Sequence, residues 1–283
     1  MIKGISTAGI GGFASLEDYI KKASQYGFGA VDTNNVGELR KFIGERGLEG
    51  ALAFLQEHNV RIGSIGLPVE WRQDEARFRS DLTKLAADAE AAAQLGCTAC
   101  CTYVLPSTDH DAVRFMAVAT RRLRQVAQVL GVYGLRLGLE HVGPHHLRTA
   151  WKNPFIWDQD SFLDWFEAIG EKNVGFLYDA YHWYTSEANV EDIRRLKPEQ
   201  IVHVHLNDAK PVPVADALDN DRLYPGEGVI DLAAFLRTLK EIGYKGVVAQ
   251  EILTKEKPEG SQDDLLRRSA DGFAKVYQAA GLE

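Results

Sequence analysis

The chain has 283 residues, with 32 Lys and Arg against 40 Asp and Glu, for a formal net charge of −8. Phosphate backbones are gripped by clustered cations, so this acidic balance argues against a nucleic-acid partner. No apolar run approaches the roughly 18 residues of a membrane helix, and the start Met1-Ile2-Lys3-Gly4-Ile5-Ser6-Thr7 is too polar for a signal peptide; both features predict a cytoplasmic protein with no membrane partner. Apolar residues make up 45% and charged residues 25%, ordinary values for a globular chain. The three cysteines crowd into Cys97-Thr98-Ala99-Cys100-Cys101. A tetrahedral zinc site needs a second pair, which the sequence lacks, so they are expected to be buried thiols.

Short β-branched runs alternate with longer helical patterns. Lys3–Thr7 reads as a strand, followed by a helix from Ser15 to Tyr26, with Ser15 and Asp18 forming a helix-start signature. Gly29-Ala30-Val31-Asp32 is a second strand, and a helical region runs from it to His58. Val60–Ile65 is the third strand; after it Phe78, Leu82, Leu85, Ala89 and Leu95 recur near helical spacing. Then come strand Thr98–Val104 with helix Asp111–Leu130, and strand Leu135–Glu140 with helix Ser161–Ile169. Val174–Tyr178 pairs with Val190–Leu196, Ile201–Leu206 with Leu232–Ile242, and Gly246–Glu251 with Asp263–Ala279. Eight strand–helix units of about 35 residues each predict an α/β fold, a single (β/α)8 barrel spanning residues 1–283 as one domain. A doubly wound sheet is the rival, because Gly9-Ile10-Gly11-Gly12-Phe13-Ala14 fits a relaxed dinucleotide fingerprint and Asp32 stands where a ribose-binding acid would. The eight units outweigh that short turn.

Polar residues end four consecutive strands: Glu140, Asp179, His205 and Glu251. In a barrel these ends converge on one mouth. Three carboxylates that close repel one another unless a cation sits between them. One imidazole with three carboxylates suits one divalent ion: Mn, Co, Mg, Zn or Fe, with Mn favoured. His203 alternates with His205 and so shares its strand face. Trp183 is one of several tryptophans following strands, where an aromatic face suits a sugar's C–H surface.

The combination Glu140, Asp179-x-x-His182, His203-x-His205-x-x-Asp208 and Glu251 resembles the xylose isomerase-like barrels, and within them the sugar phosphate isomerase/epimerase branch. That branch includes ketose 3-epimerases, hydroxypyruvate isomerase and the inosose isomerases and dehydratases. The resemblance extends to the turn Pro225-Gly226-Glu227-Gly228. It implies metal ligation by Glu140, Asp179, His205 and Glu251, with His182 at the substrate and His203 and Asp208 beside the metal or substrate. It also implies an isomerase or epimerase of a keto sugar or keto polyol, working through a metal-stabilised enediolate, in which Glu140 and Glu251 remove and return the proton and His182 assists. A homodimer or homotetramer fits the same resemblance. The chain departs from the ketose 3-epimerase pattern at His146, where a Glu is usual, and at Pro211, where an Arg is usual. A His-rich loop at His141, His145 and His146 supplies acid–base groups near neutral pH. It makes His146 a candidate substrate contact and keeps a lyase or dehydratase as the alternative reaction. An apurinic endonuclease and a non-catalytic sugar-binding barrel are weaker readings of the same strand ends.

Overall fold

A computed structural model describes residues 1–282. Its centre is a closed barrel of eight parallel strands. In chain order these are β1 (Ile2–Ile5), β2 (Ala30–Thr33), β3 (Arg61–Gly66), β4 (Ala99–Val104), β5 (Arg136–His141), β6 (Val174–Asp179), β7 (Ile201–Leu206) and β8 (Val247–Gln250). The barrel closes where β1 pairs with β8, Ile2 opposite Val247. The principal outer helices are α1 (Leu16–Gln25), α2 (Val36–Glu57), α3 (Glu75–Gln94), α4 (Ala112–Val132), α5 (Gln159–Ile169), α6 (Val190–Arg194), α7 (Leu232–Glu241) and α8 (Gln262–Ala279). The expected element order holds, with boundaries shifted by a few residues. No helix of the described residues is long and apolar enough to cross a membrane.

Local chemistry starts most of these helices. Ser15, Asp74, Asp111, Asp158, Asn189, Asp231 and Ser261 each accept a backbone N–H of the following turn, satisfying donors that a helix N-terminus otherwise leaves orphaned. The Gly9–Gly12 turn opens no helix, since α1 begins at Leu16 behind its Ser15 cap. Asp32 faces no nucleotide crevice and is buried inside the barrel.

Two kinds of packing divide the molecule. Between strands and helices runs a large core rich in aromatics, including Phe162, Trp165, Phe176, Tyr178 and Phe235. The barrel interior instead holds two small apolar clusters, Ala30, Val247 and Ala249 in one and Ala99, Cys101 and Leu177 in the other. Clusters this small leave room for polar groups. A Cβ added at Gly63 would lie 2.4 Å from Asp32 Oδ1, so β3 has to pass without a side chain for Asp32 to occupy the interior. The three cysteines are free and buried, as expected, and burial pushes the Cys97 thiol up to about 12.

The long connection after β5 carries a short helix, His145–Arg148, and the segment Asn153–Pro154, which pairs antiparallel with Ser107–Thr108 of the preceding loop. Neither strand segment shows a periodic signal in sequence, because two residues are too few to carry one.

Candidate metal centre

Strand register brings the four strand-end residues together. Asp179 is the direct partner of His205 across β6 and β7. Gln250 pairs with Leu206, so Glu251 follows one residue beyond the end of β8. Glu140 lies on β5 opposite Tyr103 of β4. One ligand atom from each of Glu140, Asp179, His205 and Glu251 lies within 4.8 Å of every other. His205 Nδ1 is 3.6 Å from Glu140 Oε1, 3.8 Å from Asp179 Oδ2 and 3.4 Å from Glu251 Oε2.

The atoms at the centre of this group are short of partners. Glu140 Oε1 and His205 Nδ1 are buried with no hydrogen-bond partner. Leaving a buried polar atom unpaired costs about 1–3 kcal/mol, more for a charged group. Three carboxylates converging beside them cost more again. A divalent cation would satisfy these atoms together, and a set of three carboxylates and one imidazole is suited to one. The residues present therefore fit a divalent ion.

The environment drives the two glutamates apart. Burial raises the Glu140 carboxyl, an effect that His205 only partly offsets. Burial acts on Glu251 too, but there the His205 and Arg222 charges prevail and hold it well below the usual carboxylate range.

Arg222 is the principal site residue that the sequence reading missed. Its Nη1 donates to Asp179 Oδ2 at 3.2 Å and to Glu251 Oε2 at 3.0 Å, and its Nη2 to Asp219 Oδ1 at 2.8 Å. It is fully buried behind the ligands and offsets part of their charge. Its cue was its place in Asp221-Arg222, just ahead of the Pro225–Gly228 turn. Asn207 was missed as well; its side-chain amide donates to Asp179 Oδ2 at 2.9 Å and to the Glu251 carbonyl at 3.2 Å.

A second layer lies beneath His205. Asp32 Oδ2 is 2.7 Å from His203 Nε2 and 3.6 Å from His205 Nε2. Although burial acts to raise it, the two imidazoles hold Asp32 down at about 2. The Asp32 charge favours a proton on His205 Nε2, which leaves Nδ1 free to face the carboxylates.

The expected substrate contacts divide. His182 reaches the cluster: Gly143 N–H donates to its Nδ1 at 3.3 Å, and its Nε2 lies 3.8 Å from both Glu140 Oε1 and Asp219 Oδ1. Gly143 allows this approach, because a Cβ there would meet the His182 carbonyl at 2.7 Å and Thr185 Oγ1 at 2.6 Å. His203 is a buried partner of Asp32 and does not line the cavity. Asp208 is not among the residues lining the cavity. Its carboxylate accepts the N–H groups of Ala209, Gly226, Gly228 and Ile230 at 2.9–3.0 Å, which ties the Pro225–Gly228 turn to the end of β7. Trp183 packs outward on Phe235 and donates to the Asn189 carbonyl, so it too is removed from the site. His146 lies on the short helix after β5 and is not among the residues lining the cavity. His141 ends β5 facing outward, among Phe162, Phe176 and Tyr178.

Above the ligand cluster opens a cavity of about 340 Å³, within the range of small-molecule sites. Glu140, His205, Glu251 and Asp32 line it, together with Ser6, Asn34, Arg72 and Thr102.

Relatives share this frame. An inosose isomerase of Bacillus velezensis is 24% identical over 246 residues, covering 86% of this chain and 85% of that protein. A xylose isomerase domain protein of Alicyclobacillus acidocaldarius superposes with a TM-score of 0.90 at 34% identity, covering 99% of each chain. The IOLI protein, solved with a bound zinc atom, has the same fold, with a TM-score of 0.79 at 20% identity over 98% of each chain. Residues 20–275 match the xylose isomerase-like TIM barrel family, and the chain, with its closed eight-stranded barrel and strand-end cluster, belongs to that family.

Proposed function

We propose that the protein is a divalent-metal-dependent isomerase or epimerase of a keto sugar or keto polyol. The observation that carries this reading is a pair of carboxylates, buried Glu140 from β5 and half-buried Glu251 after β8, flanking His205 at the floor of one small-molecule cavity. Glu140, Asp179, His205 and Glu251 would hold the ion, which supplies Lewis-acid stabilisation of negative charge on substrate oxygens. Manganese suits an oxygen-rich set of this kind, and zinc suits it as well.

The chain's own groups account for proton transfer at carbon. Glu140 and Glu251 reach the cavity from the ends of well-separated strands, so one carboxylate could take a proton from the carbon beside the carbonyl and the other return it. Arg222 and Asn207 fix Asp179 and Glu251, so little reorganisation is needed as charge develops.

Elimination of water is the second reading, favoured by His182. Its Nε2 stands 3.8 Å from both Glu140 Oε1 and Asp219 Oδ1 and 3.3 Å from Arg222 Nη2, which places the imidazole beside the carboxylates where a leaving hydroxyl would be met.

The test is proton exchange in heavy water with a panel of keto sugars and inososes, using metal-loaded protein. Deuterium entering the substrate with no loss of water, abolished in Glu140→Gln and Glu251→Gln, is the expected result. A new conjugated enone absorbing in the ultraviolet would replace the isomerase reading with the dehydratase one. No exchange and no enone across the panel would refute both.

A further inference from the structure

The cavity has a second charged pole that the metal chemistry does not use. Among the described residues lining it, Arg72 is the one Lys or Arg. It follows β3, on the side of the mouth away from Asp179 and Glu251. Its Nη2 donates to Thr102 Oγ1 at 2.9 Å and to the Tyr103 carbonyl at 2.6 Å. Both acceptors are neutral. The nearest counter-charge is Glu70, whose Oε1 lies 3.6 Å from Nη1 and is already engaged by the Arg72 backbone N–H at 2.8 Å. The Nε of Arg72 is buried with no hydrogen-bond partner. Burial pulls the guanidinium pKa down, against the opposing pull of Tyr103 and of the Glu70 carboxylate beside it.

The surrounding structure holds this guanidinium still. It stacks on Trp71 and Tyr103, with its carbon 4.5 and 4.2 Å from the ring centroids. The segment that carries it is pinned by Arg122 of α4, which is itself buried. Arg122 Nη1 donates to the Trp71 and Gln73 carbonyls at 2.9 and 2.6 Å, and Nη2 to Glu75 at 3.0 Å. Trp71 Nε1 adds a bond to Thr102 Oγ1 at 3.2 Å. A side chain with large rotamer freedom is thus ordered before any ligand arrives, which lowers the cost of using it in binding.

Position completes the argument. Tyr103, to which Arg72 is bonded, is the register partner of Glu140, and neighbouring strands lie about 4.8 Å apart. One small molecule in the cavity can therefore meet Glu140 at one end and Arg72 at the other. Ser6, Asn34, Ser64 and Thr102 also line the cavity, together with the Asp32 carboxylate, and these four neutral groups are suited to hydroxyls.

We propose that the substrate carries a carboxylate at the end remote from its reacting keto group, and that Arg72 binds it. This rests on the keto-sugar reading above and narrows it to a keto acid. A carboxylate suits a single planar guanidinium. A phosphate monoester, with close to two charges and three acceptor oxygens, calls for more cationic groups than the cavity provides.

Equilibrium binding tests the proposal with a readout separate from activity. Metal-loaded wild type, Arg72→Met and Arg72→Lys are titrated calorimetrically with D-fructose, D-fructuronate and D-fructose 6-phosphate, after circular dichroism and metal stoichiometry verify each variant. The expected result is about 10–100-fold tighter binding of fructuronate than of fructose to the wild type. That ratio falls to near one in Arg72→Met, and Arg72→Lys keeps only part of it. Equal binding of the two, no detectable binding of fructuronate, or a ratio unchanged in the variants overturns the proposal. If Arg72→Met does not fold, an unchanged ratio in Arg72→Lys overturns it alone. Tighter binding of fructose 6-phosphate than of fructuronate overturns the carboxylate assignment. Failure of the keto-sugar reading shows separately, as absence of deuterium wash-in, and leaves the charge preference measurable.

Discussion

Replacing Asp32 with Asn tests whether the barrel interior tunes the metal centre. The substitution keeps the shape of the side chain and removes its charge. Asp32 lies 3.6 Å from His205 Nε2, on the opposite side of the ring from the nitrogen that faces Glu140, Asp179 and Glu251. Two full charges at that distance would interact by about 5 kcal/mol at an effective dielectric near 20. A ligating imidazole carries only a fraction of that charge, so the expected loss is about 1.4–2.7 kcal/mol, or 10–100-fold in metal affinity. The Asn oxygen can still accept from His203 Nε2, now 2.7 Å from Asp32 Oδ2, so the fold is expected to persist. Competition between the protein and a chromogenic chelator for Zn²⁺ or Mn²⁺ measures the affinity, with circular dichroism as the control. Metal affinity within twofold of wild type in a folded Asp32→Asn protein would refute the argument that Asp32 orients His205. Failure of the wild type to bind any divalent ion would refute the metal centre itself.

Two further predictions concern stability. His141 is buried among aromatic rings, and burial holds its pKa down to about 3. The unfolded chain therefore binds the extra proton between about pH 6.5 and pH 3, and stability contributed by the neutral ring is lost as pH falls through that window. At pH 5 the loss is about 2 kcal/mol. Denaturant midpoints at pH 7.5 and pH 5 are expected to show His141→Phe less acid-sensitive than wild type by that amount; equal sensitivity would contradict the assignment. Asp208→Ala removes the acceptor shared by four backbone N–H groups. It is expected to cost about 3–5 kcal/mol in urea unfolding, and a cost below about 1 kcal/mol would show that the turn is held by other contacts. Gly228→Ala is expected to behave similarly, because its Cβ would fall 2.1 Å from the Ala209 carbonyl oxygen and 2.5 Å from Asp208 Oδ1.

The barrel and its four converging residues were legible in the chain because both are local signals repeated in order. Apolar periodicity marks each strand and helix within a few residues, and an acid or imidazole at a strand end needs only the count of units to place it at the mouth. His203 and His205 were read onto one face by strand alternation alone, and the structure agrees, with both inside the barrel. Tertiary structure decided the roles of polar side chains whose partners are distant in sequence. Asp208 looks like a ligand neighbour three residues after His205, yet its charge is consumed by backbone N–H groups of residues 226–230. Trp183 directly follows His182, but helical geometry turns it outward onto Phe235. Arg222 comes to Asp179 and Glu251 from an irregular loop, and Asp32 meets His203 across 171 residues. Periodicity reports which face of an element is apolar. Which buried charges neutralise one another is a property of the closed barrel, set by distances that exist only once the eight strands have met.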